Sequence, residues 1–156
     1  MTLFLLRHGK ADWPDWDRPD DERPLTDEGI EEMQAVAAAL KRMKVKPRFI
    51  LSSPLPRALR TAEIAAGELC LAVEQHAKLK PGFDRRECDA LLASHPGAGV
   101  MLVGHEPDFG ALIRSLTGAR VKLSKAATAA IEIGEDVAAP RLLWLFPAKM
   151  LIRLYR

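Results

Sequence analysis

The sequence has little cysteine and no long apolar run, and each absence excludes a class of protein. Its 156 residues include only two cysteines, Cys70 and Cys88, with no CxxC pair. A disulfide framework and a structural zinc site are therefore not indicated, and we expect two buried or idle thiols. No stretch approaches the roughly 18 uninterrupted apolar residues of a membrane-spanning helix, and the N-terminus lacks the basic start of a signal peptide. We therefore expect a soluble, cytoplasmic protein.

The hydrophobic content favours one self-sufficient domain. Hydrophobic residues make up 48% of the chain, and a chain of this size buries roughly 70% of its unfolded surface on folding. A substantial core is then possible without metal or disulfide, which excludes collagen-like, disordered and mini-protein classes. We predict a single domain over residues 1–156.

The net charge of +2 is the sum of two opposed segments. The acidic segment, Asp12–Glu28, carries eight acids and two bases, a balance of −6, whereas Lys41–Arg60 carries seven bases and no acid. We interpret the 41–48 part as a solvated face. No helix-turn-helix, zinc-finger or RNA-binding motif accompanies it, so nucleic-acid binding is not expected.

Apolar runs and helical periodicity alternate over the first 118 residues. Residues 2–6 predict a buried strand, a long loop follows to Pro24, and Thr26 is the expected N-cap of a helix ending near Met43. "RFILSS" predicts a second strand, followed by a helix over 57–69, a short strand near "LAVEQ" and a helix near "RRECDALLAS". "GVMLVGH" predicts another strand, and "EPDFGALIRSLTG" a helix that stops at Gly118.

The last part of the chain changes period. "ATAAIEIG" and "RLLWLF", separated by "EDVAAP", predict an antiparallel pair of strands. The fold class is thus α/β: a mainly parallel central sheet with helices on both faces, extended by a C-terminal antiparallel hairpin. We expect Trp144 to pack in the core and His76 and His95 to be surface histidines. The basic tail "PAKMLIRLYR" is short for a membrane-surface helix, so we expect Met150, Leu151, Ile152 and Leu154 to pack on the sheet.

Reactive side chains follow three of the predicted strands. They lie in Arg7-His8-Gly9, in the segment from Ser52 to Arg57, and in Gly104-His105. Since reactive groups gather outside the carboxyl ends of parallel strands, two arginines and two histidines are predicted to meet at one edge of the sheet.

Two arginines and two histidines suit a doubly charged tetrahedral oxyanion. Arginine pairs bidentately with phosphate and stays charged, and neutral imidazole can attack phosphorus and leave again. His8 is the better nucleophile candidate because it lies between Arg7 and a glycine. We expect the neighbouring positive charge to lower the pKa of His8, and a phosphate dianion facing His105 to keep His105 protonated.

Four segments, "FLLRHGKA", "LTDEG", "LSSPLPRALRTAE" and "LVGHEP", together resemble the histidine phosphatase superfamily, specifically its small phosphohistidine phosphatases of the SixA type. The resemblance implies a phosphoglycerate-mutase-like fold. It also implies that His8 is the phosphorylated nucleophile, that Arg7, Arg57 and His105 complete the phosphate pocket, and that a covalent phosphohistidine intermediate forms without metal or cofactor.

The resemblance does not by itself assign the general acid. Many members of the superfamily use a Glu or Asp to protonate an alkoxide, and the candidates here are Asp84, Glu87 and Glu106. We favour solvated loop acids for the first two and, for Glu106, a residue that complements the dipole of the following helix. A weak acid fits a phosphohistidine substrate, since imidazole leaves more readily than an alkoxide.

The resulting hypothesis is a metal-independent phosphatase acting on protein phosphohistidine. A short chain leaves little for a lid, which favours a phosphorylated side chain of a protein over a small phosphorylated metabolite. The alternatives are a general small-molecule phosphomonoesterase and a non-catalytic phosphate-sensing or docking module. We expect a positive phosphate site with a negative rim formed by the acidic segment. Its Trp13 and Trp16 either border the pocket or anchor the loop to the core.

Overall fold

The computed structural model describes residues 1–134 and 139–156 and contains six strands and five α-helices in that part of the chain. The strands are β1 (Thr2–Arg7), β2 (Phe49–Ser52), β3 (Val73–Gln75), β4 (Val100–Gly104), β5 (Thr128–Glu132) and β6 (Arg141–Phe146). The helices are α1 (Asp27–Arg42), α2 (Pro56–Leu69), α3 (Arg85–Ala93), α4 (Asp108–Thr117) and α5 (Ala148–Leu154). Residues 135–138 of the predicted "EDVAAP" connection lie outside the described residues.

All strands form one sheet in the order β3-β2-β4-β1-β5-β6. The first four are parallel to one another, while β5 pairs antiparallel with β1 and β6 antiparallel with β5. The predicted α/β class and its C-terminal antiparallel extension are therefore confirmed. The central position of β1, β4 and β2 places their carboxyl ends side by side.

Each face of the sheet carries its own apolar core. On one face, α1, α2 and α5 pack through residues such as Met33, Ala62 and Leu151. On the other, α3 and α4 pack through Leu91, Phe109 and Leu112. Alternate residues of β1 serve the two cores, because successive side chains of a strand point to opposite faces. Helices on both faces follow from strands that are apolar throughout.

Local signals fix the helix ends as predicted. The Thr26 hydroxyl accepts a hydrogen bond from the Gly29 amide at 3.0 Å and caps α1. Pro56 occupies the first position of α2, where a missing N–H is harmless. Gly118, with φ of 77°, ends α4 in the left-handed region.

Two expectations about the periphery were wrong in part. Leu151 is fully buried, but Met150 and Leu154 are about half exposed, because α5 packs mainly on α1 with one face. His95 is not a surface residue, because its side chain is only 11% exposed. Its ring packs edge-on against the ring of Phe49, with 4.6 Å between the two ring centroids. Trp144 does pack against the core, with 6.2 Å between the centroids of its ring and the ring of Phe4. Among the described residues, no helix is both long and apolar enough to cross a membrane.

Candidate active site

The three predicted loops meet at the carboxyl edge of the sheet. In the register of the sheet Arg7 lies opposite Gly104, so His8 and His105 follow at the same level. Ser52 lies opposite Val103, which places Ser53 beside Gly104, one residue before that level. Backbone hydrogen bonds continue this alignment past the strand ends, from the His8 amide to the Gly104 carbonyl at 3.1 Å and from the Ser53 amide to the Val103 carbonyl at 3.0 Å. The loops are thus fixed by extensions of the sheet.

His8 is buried and its ring is held in one tautomer. Its Nδ1 lies 2.7 Å from the Gly9 carbonyl oxygen, which can only accept, so Nδ1 carries the proton and Nε2 carries the lone pair. The Gly9 amide donates to the Thr61 hydroxyl at 3.0 Å, and that hydroxyl donates to the Arg57 carbonyl at 2.7 Å. Helix α2 therefore positions the backbone that orients His8.

His105 lies beside His8, with 5.4 Å between the two ring centroids. Its Nε2 is 2.8 Å from the Ser53 hydroxyl, which itself accepts from the Leu55 amide at 3.2 Å. In a protonated His105, Nε2–H donates to Ser53 and Nδ1–H remains for another acceptor. Ser53 thus orients the second histidine from the end of β2.

Burial is the main cause of low histidine pKa values here. Burial lowers the pKa of His8 to about 4, opposed by its hydrogen bond to Gly9 and assisted by the charges of Arg57 and Arg7. Burial likewise lowers the pKa of His105 to about 3, with the charges of His8 and Arg57 adding to it. The predicted direction for His8 is correct, but its largest cause is desolvation, with the neighbouring charge secondary.

Arg7 and Arg57 flank the two histidines, and each is held by backbone carbonyls. Arg7 Nη1 donates to the Leu123 carbonyl at 2.8 Å, and Arg57 Nη1 to the Asp20 carbonyl at 2.8 Å. Burial lowers the pKa of both guanidiniums. In the described part of the chain, four buried side-chain nitrogen or oxygen atoms lack a hydrogen-bond partner, and three of them belong to this cluster: Arg7 Nε, Arg57 Nε and His105 Nδ1. Unmet donors of this kind favour an anionic ligand.

The acidic segment reaches the cluster directly. Asp20 Oδ2 accepts from Arg57 Nη2 at 3.1 Å, and Arg23 contacts the same carboxylate at 3.0 Å. The tryptophans bond within their own loop: Trp13 Nε1 donates to the Pro24 carbonyl and Trp16 Nε1 to the Pro19 carbonyl. Trp13 remains 39% exposed, so these rings stiffen the loop and do not anchor it in the core.

Each acid candidate has a structural partner. Glu106 Oε1 accepts from the Gly110 amide at 2.8 Å, which satisfies one free N–H in the first turn of α4. Asp84 caps α3 by accepting from the Glu87 amide at 3.0 Å, and the Glu87 carboxylate pairs with Lys78 at 3.2 Å. Of the three, Glu106 shares a cleft with Arg7.

Within residues 1–134 and 139–156, no group of three or more His, Cys, Asp or Glu side chains is arranged to hold a metal ion. The two cysteines also differ from each other in burial. Cys70 is exposed and occupies a left-handed position at the end of α2, whereas burial raises the pKa of Cys88 to about 12.

Comparisons with known proteins match this chain to one family. The model of the histidine phosphatase superfamily (branch 1) matches residues 3–81. The phosphohistidine phosphatase SixA of Escherichia coli is 33% identical over 121 residues, 74% of each chain.

The chain belongs to the histidine phosphatase superfamily.

Within this superfamily it is of the SixA type. A solved structure of the protein histidine phosphatase SixA complexed with tungstate superposes with a TM-score of 0.85 at 29% identity, covering 96% of this chain and 98% of that one. An uncharacterized protein of Picosynechococcus sp. is 37% identical over 146 residues, 86% of each chain. Superfamily membership together with the similarity to SixA supports a phosphatase of the hydrolase class.

Three residues of this histidine phosphatase site had no assigned role in the sequence reasoning: Ser53, Thr61 and Asp20. Ser53 was visible as a polar residue at a strand end. Thr61 lies one helical turn after Arg57, and that spacing places both on the same side of α2. Asp20 was one of eight acids in its segment, and nothing in the local pattern distinguished it from the others.

Proposed function

We propose that the chain hydrolyses phosphohistidine on proteins through a covalent phosphoryl intermediate on His8, without a metal. The observation that carries this proposal is the ring of His8: its Nδ1–H is held by the Gly9 carbonyl, which leaves the Nε2 lone pair as the nucleophile. Low pKa keeps that nitrogen unprotonated at neutral pH.

The reaction takes two displacement steps. His8 Nε2 attacks the phosphorus, a new N–P bond forms, and the substrate N–P bond breaks with its electron pair returning to the leaving imidazole. A water molecule then attacks phospho-His8, and the N–P bond breaks with its electron pair returning to His8 Nε2. The two protons of the water leave with the product as dihydrogen phosphate, so His8 is regenerated in its neutral form with the proton on Nδ1. Arg7 and Arg57 neutralise the phosphoryl oxygens. A phosphoryl dianion draws a proton onto His105, whose Nδ1–H then donates to it.

A strong general acid is not required for a phosphohistidine substrate. A leaving imidazole is less basic than an alkoxide, so proton transfer contributes less to the barrier. Glu106 is the remaining acid candidate because it lines the cleft that also contains Arg7. Its hydrogen bond to Gly110 gives it a structural role as well.

A small-molecule phosphomonoesterase is the alternative with an observation in its favour. A phosphoserine phosphatase of Entamoeba histolytica, solved with phosphoserine, has the same fold with a TM-score of 0.76 at 19% identity. The match covers 98% of that chain, so a short chain without a lid is equally compatible with a small substrate. A non-catalytic docking module is disfavoured by the unprotonated Nε2 of His8, a nucleophile that phosphate binding alone does not require.

Rapid quenching at alkaline pH followed by intact mass measurement tests the covalent step. With a phosphohistidine peptide as donor, we expect one phosphoryl adduct on the wild type and none on His8→Ala. His105→Ala, which keeps the nucleophile, should form the adduct slowly. A wild type without adduct, or an adduct that survives His8→Ala, defeats the mechanism. Comparing kcat/KM on the peptide and on phosphoserine separates the two substrate classes.

A further inference from the structure

A second binding surface adjoins the proposed phosphate pocket. A cleft of about 1090 Å³ opens between the outer face of α4 and the segment 120–122, and Arg7 lies in its wall. We call it the α4 cleft. Arg7 also belongs to the His8 cluster, so the cleft and the proposed phosphate pocket share one side chain.

The α4 cleft is strongly cationic. Arg114, Arg120 and Lys122 line it together with Arg7, against the single carboxylate of Glu106. That carboxylate already accepts the Gly110 amide at 2.8 Å. The cleft therefore carries four positive charges against one partly engaged negative charge.

The cations of the α4 cleft are distinguished by their clustering. Among the residues that the structure describes, Arg114, Arg120 and Lys122 are exposed and form no ion pair. Exposed cations without an ion pair also occur elsewhere in that part of the chain, as at Lys46 and Arg48, but these do not line the cleft. Three unpaired cations on one concave surface create a local positive potential that attracts anionic groups.

Close backbone packing builds the wall of the cleft. A Cβ at Gly110 would meet both Glu106 Oε2 and the Val121 carbonyl at 2.9 Å, so only glycine lets the segment 120–122 lie this near to α4. Arg120 and Lys122 of this segment line the cleft together with Arg114 of α4.

The length of the cleft fits a peptide better than a single phosphoryl group. Its lining runs along α4 from Pro107 to Ser115, a span of about 12 Å at the rise of an α-helix. An extended polypeptide advances about 3.3 Å per residue, so roughly three to four residues match this span.

We propose that the α4 cleft binds an acidic segment of the protein substrate, next to the phosphorylated histidine. The proposal rests on the proposed function, because the phosphohistidine in the His8 pocket sets the position of the segment. Aspartate and glutamate side chains of the substrate pair with Arg114, Arg120 and Lys122. The cleft thereby selects among phosphohistidine proteins by the charge beside the phosphorylated residue.

The test uses two phosphohistidine peptides that differ only in having acidic or neutral residues beside the phosphohistidine. The variant Arg114→Gln/Lys122→Gln removes two cleft charges. Lys46→Gln/Arg48→Gln removes one lysine and one arginine that precede β2, at the opposite edge of the sheet. The measured quantity is the ratio of kcat/KM for the acidic peptide to that for the neutral peptide.

We expect a ratio well above one for the wild type and no change of that ratio in the control variant. In the cleft variant the ratio should fall about tenfold through KM, since two partly exposed ion pairs together contribute about one factor of ten. A ratio near one in the wild type, or an equal fall in both variants, overturns the proposal.

A binding measurement distinguishes a failure of this proposal from a failure of the proposed function. The unphosphorylated acidic and neutral peptides are titrated into the wild type and the cleft variant by fluorescence anisotropy, which needs no turnover. Preference for the acidic peptide that disappears in the cleft variant supports the cleft even if no phospho-His8 forms. Equal affinity for the two peptides refutes the cleft even if the covalent intermediate is found.

Discussion

Arg57 and Asp20 form a two-point contact that joins a buried arginine to an exposed loop. Arg57 Nη1 donates to the Asp20 carbonyl at 2.8 Å and Nη2 to the Asp20 carboxylate at 3.1 Å. The Arg57 side chain is 5% exposed and that of Asp20 is 66% exposed. The carboxylate therefore contacts the same guanidinium that we propose for the phosphoryl group.

Removing the Asp20 charge is expected to strengthen phosphate binding. Asp20→Asn keeps the backbone contact to Arg57 but ends the competition between carboxylate and phosphate. We expect inorganic phosphate to inhibit about three- to fivefold more tightly, in line with a partly exposed ion pair of up to about 1 kcal/mol. Asp17→Asn in the same loop is the control and should leave the inhibition constant unchanged. Weaker inhibition in Asp20→Asn would show that the carboxylate orients Arg57 instead.

The pKa of His8, about 4, predicts an unusual acid limit. A lowered histidine pKa favours the neutral form, so the nucleophile stays unprotonated until the pH falls to about 4, below the ordinary value of 6.5. NMR titration of the His8 imidazole should show its midpoint there. Arg57→Gln should raise the midpoint, because the Arg57 charge lowers this pKa. A midpoint near 6.5 would contradict the buried geometry.

Thr61 is expected to support His8 through Gly9. Thr61→Val removes the acceptor of the Gly9 amide and leaves a buried N–H unpaired, which costs about 1–3 kcal/mol of unfolding free energy. We expect a slower phosphorylation of His8 as well. Thr61→Ser keeps the hydroxyl and should retain the phosphorylation rate. Urea unfolding and rapid quench measure the two effects, and equal rates in Val and Ser variants would dismiss the positioning role.

Glu106→Gln separates proton donation from helix capping. The amide oxygen of Gln still accepts the Gly110 amide, so α4 keeps its first-turn hydrogen bond. With a phosphohistidine peptide, we expect kcat within about threefold of the wild type, because imidazole needs little help to leave. A drop of about a hundredfold, within the usual range for loss of a general acid, would instead make Glu106 the proton donor.

Gly29 and Gly67 offer a contrast between a crowded and an open glycine. A Cβ at Gly29 would meet the Lys10 carbonyl oxygen at 2.2 Å, whereas at Gly67 nothing lies within 4 Å. Gly29→Ala should destabilise by about 1–3 kcal/mol and displace the loop after His8. Gly67→Ala should stabilise by up to about 1 kcal/mol, as expected inside a helix. Thermal unfolding of both variants gives the comparison.

Much of the fold was predictable because its signals are local. The strands β1, β2 and β4 are short apolar runs bounded by polar or glycine residues, and Thr26 and Gly118 are ordinary helix ends. The meeting of His8 and His105 followed from one further rule, that carboxyl ends of parallel strands share an edge. Burial of His95 and exposure of Met150 were not predictable in this way, since each depends on how a distant element packs.

The sequence by itself determined which residue types follow the central strands, and with them the superfamily and the prediction of an oxyanion site. Tertiary structure decided how charge surrounds that site: Asp20 faces Arg57 on one side, and the cationic α4 cleft adjoins Arg7 on the other. It also decided that burial, more than neighbouring charge, lowers the pKa of His8. The physical reason is the distance along the chain over which each effect acts. Periodicity and capping act over a few residues, whereas desolvation and ion pairing depend on which distant segments the folded chain brings together.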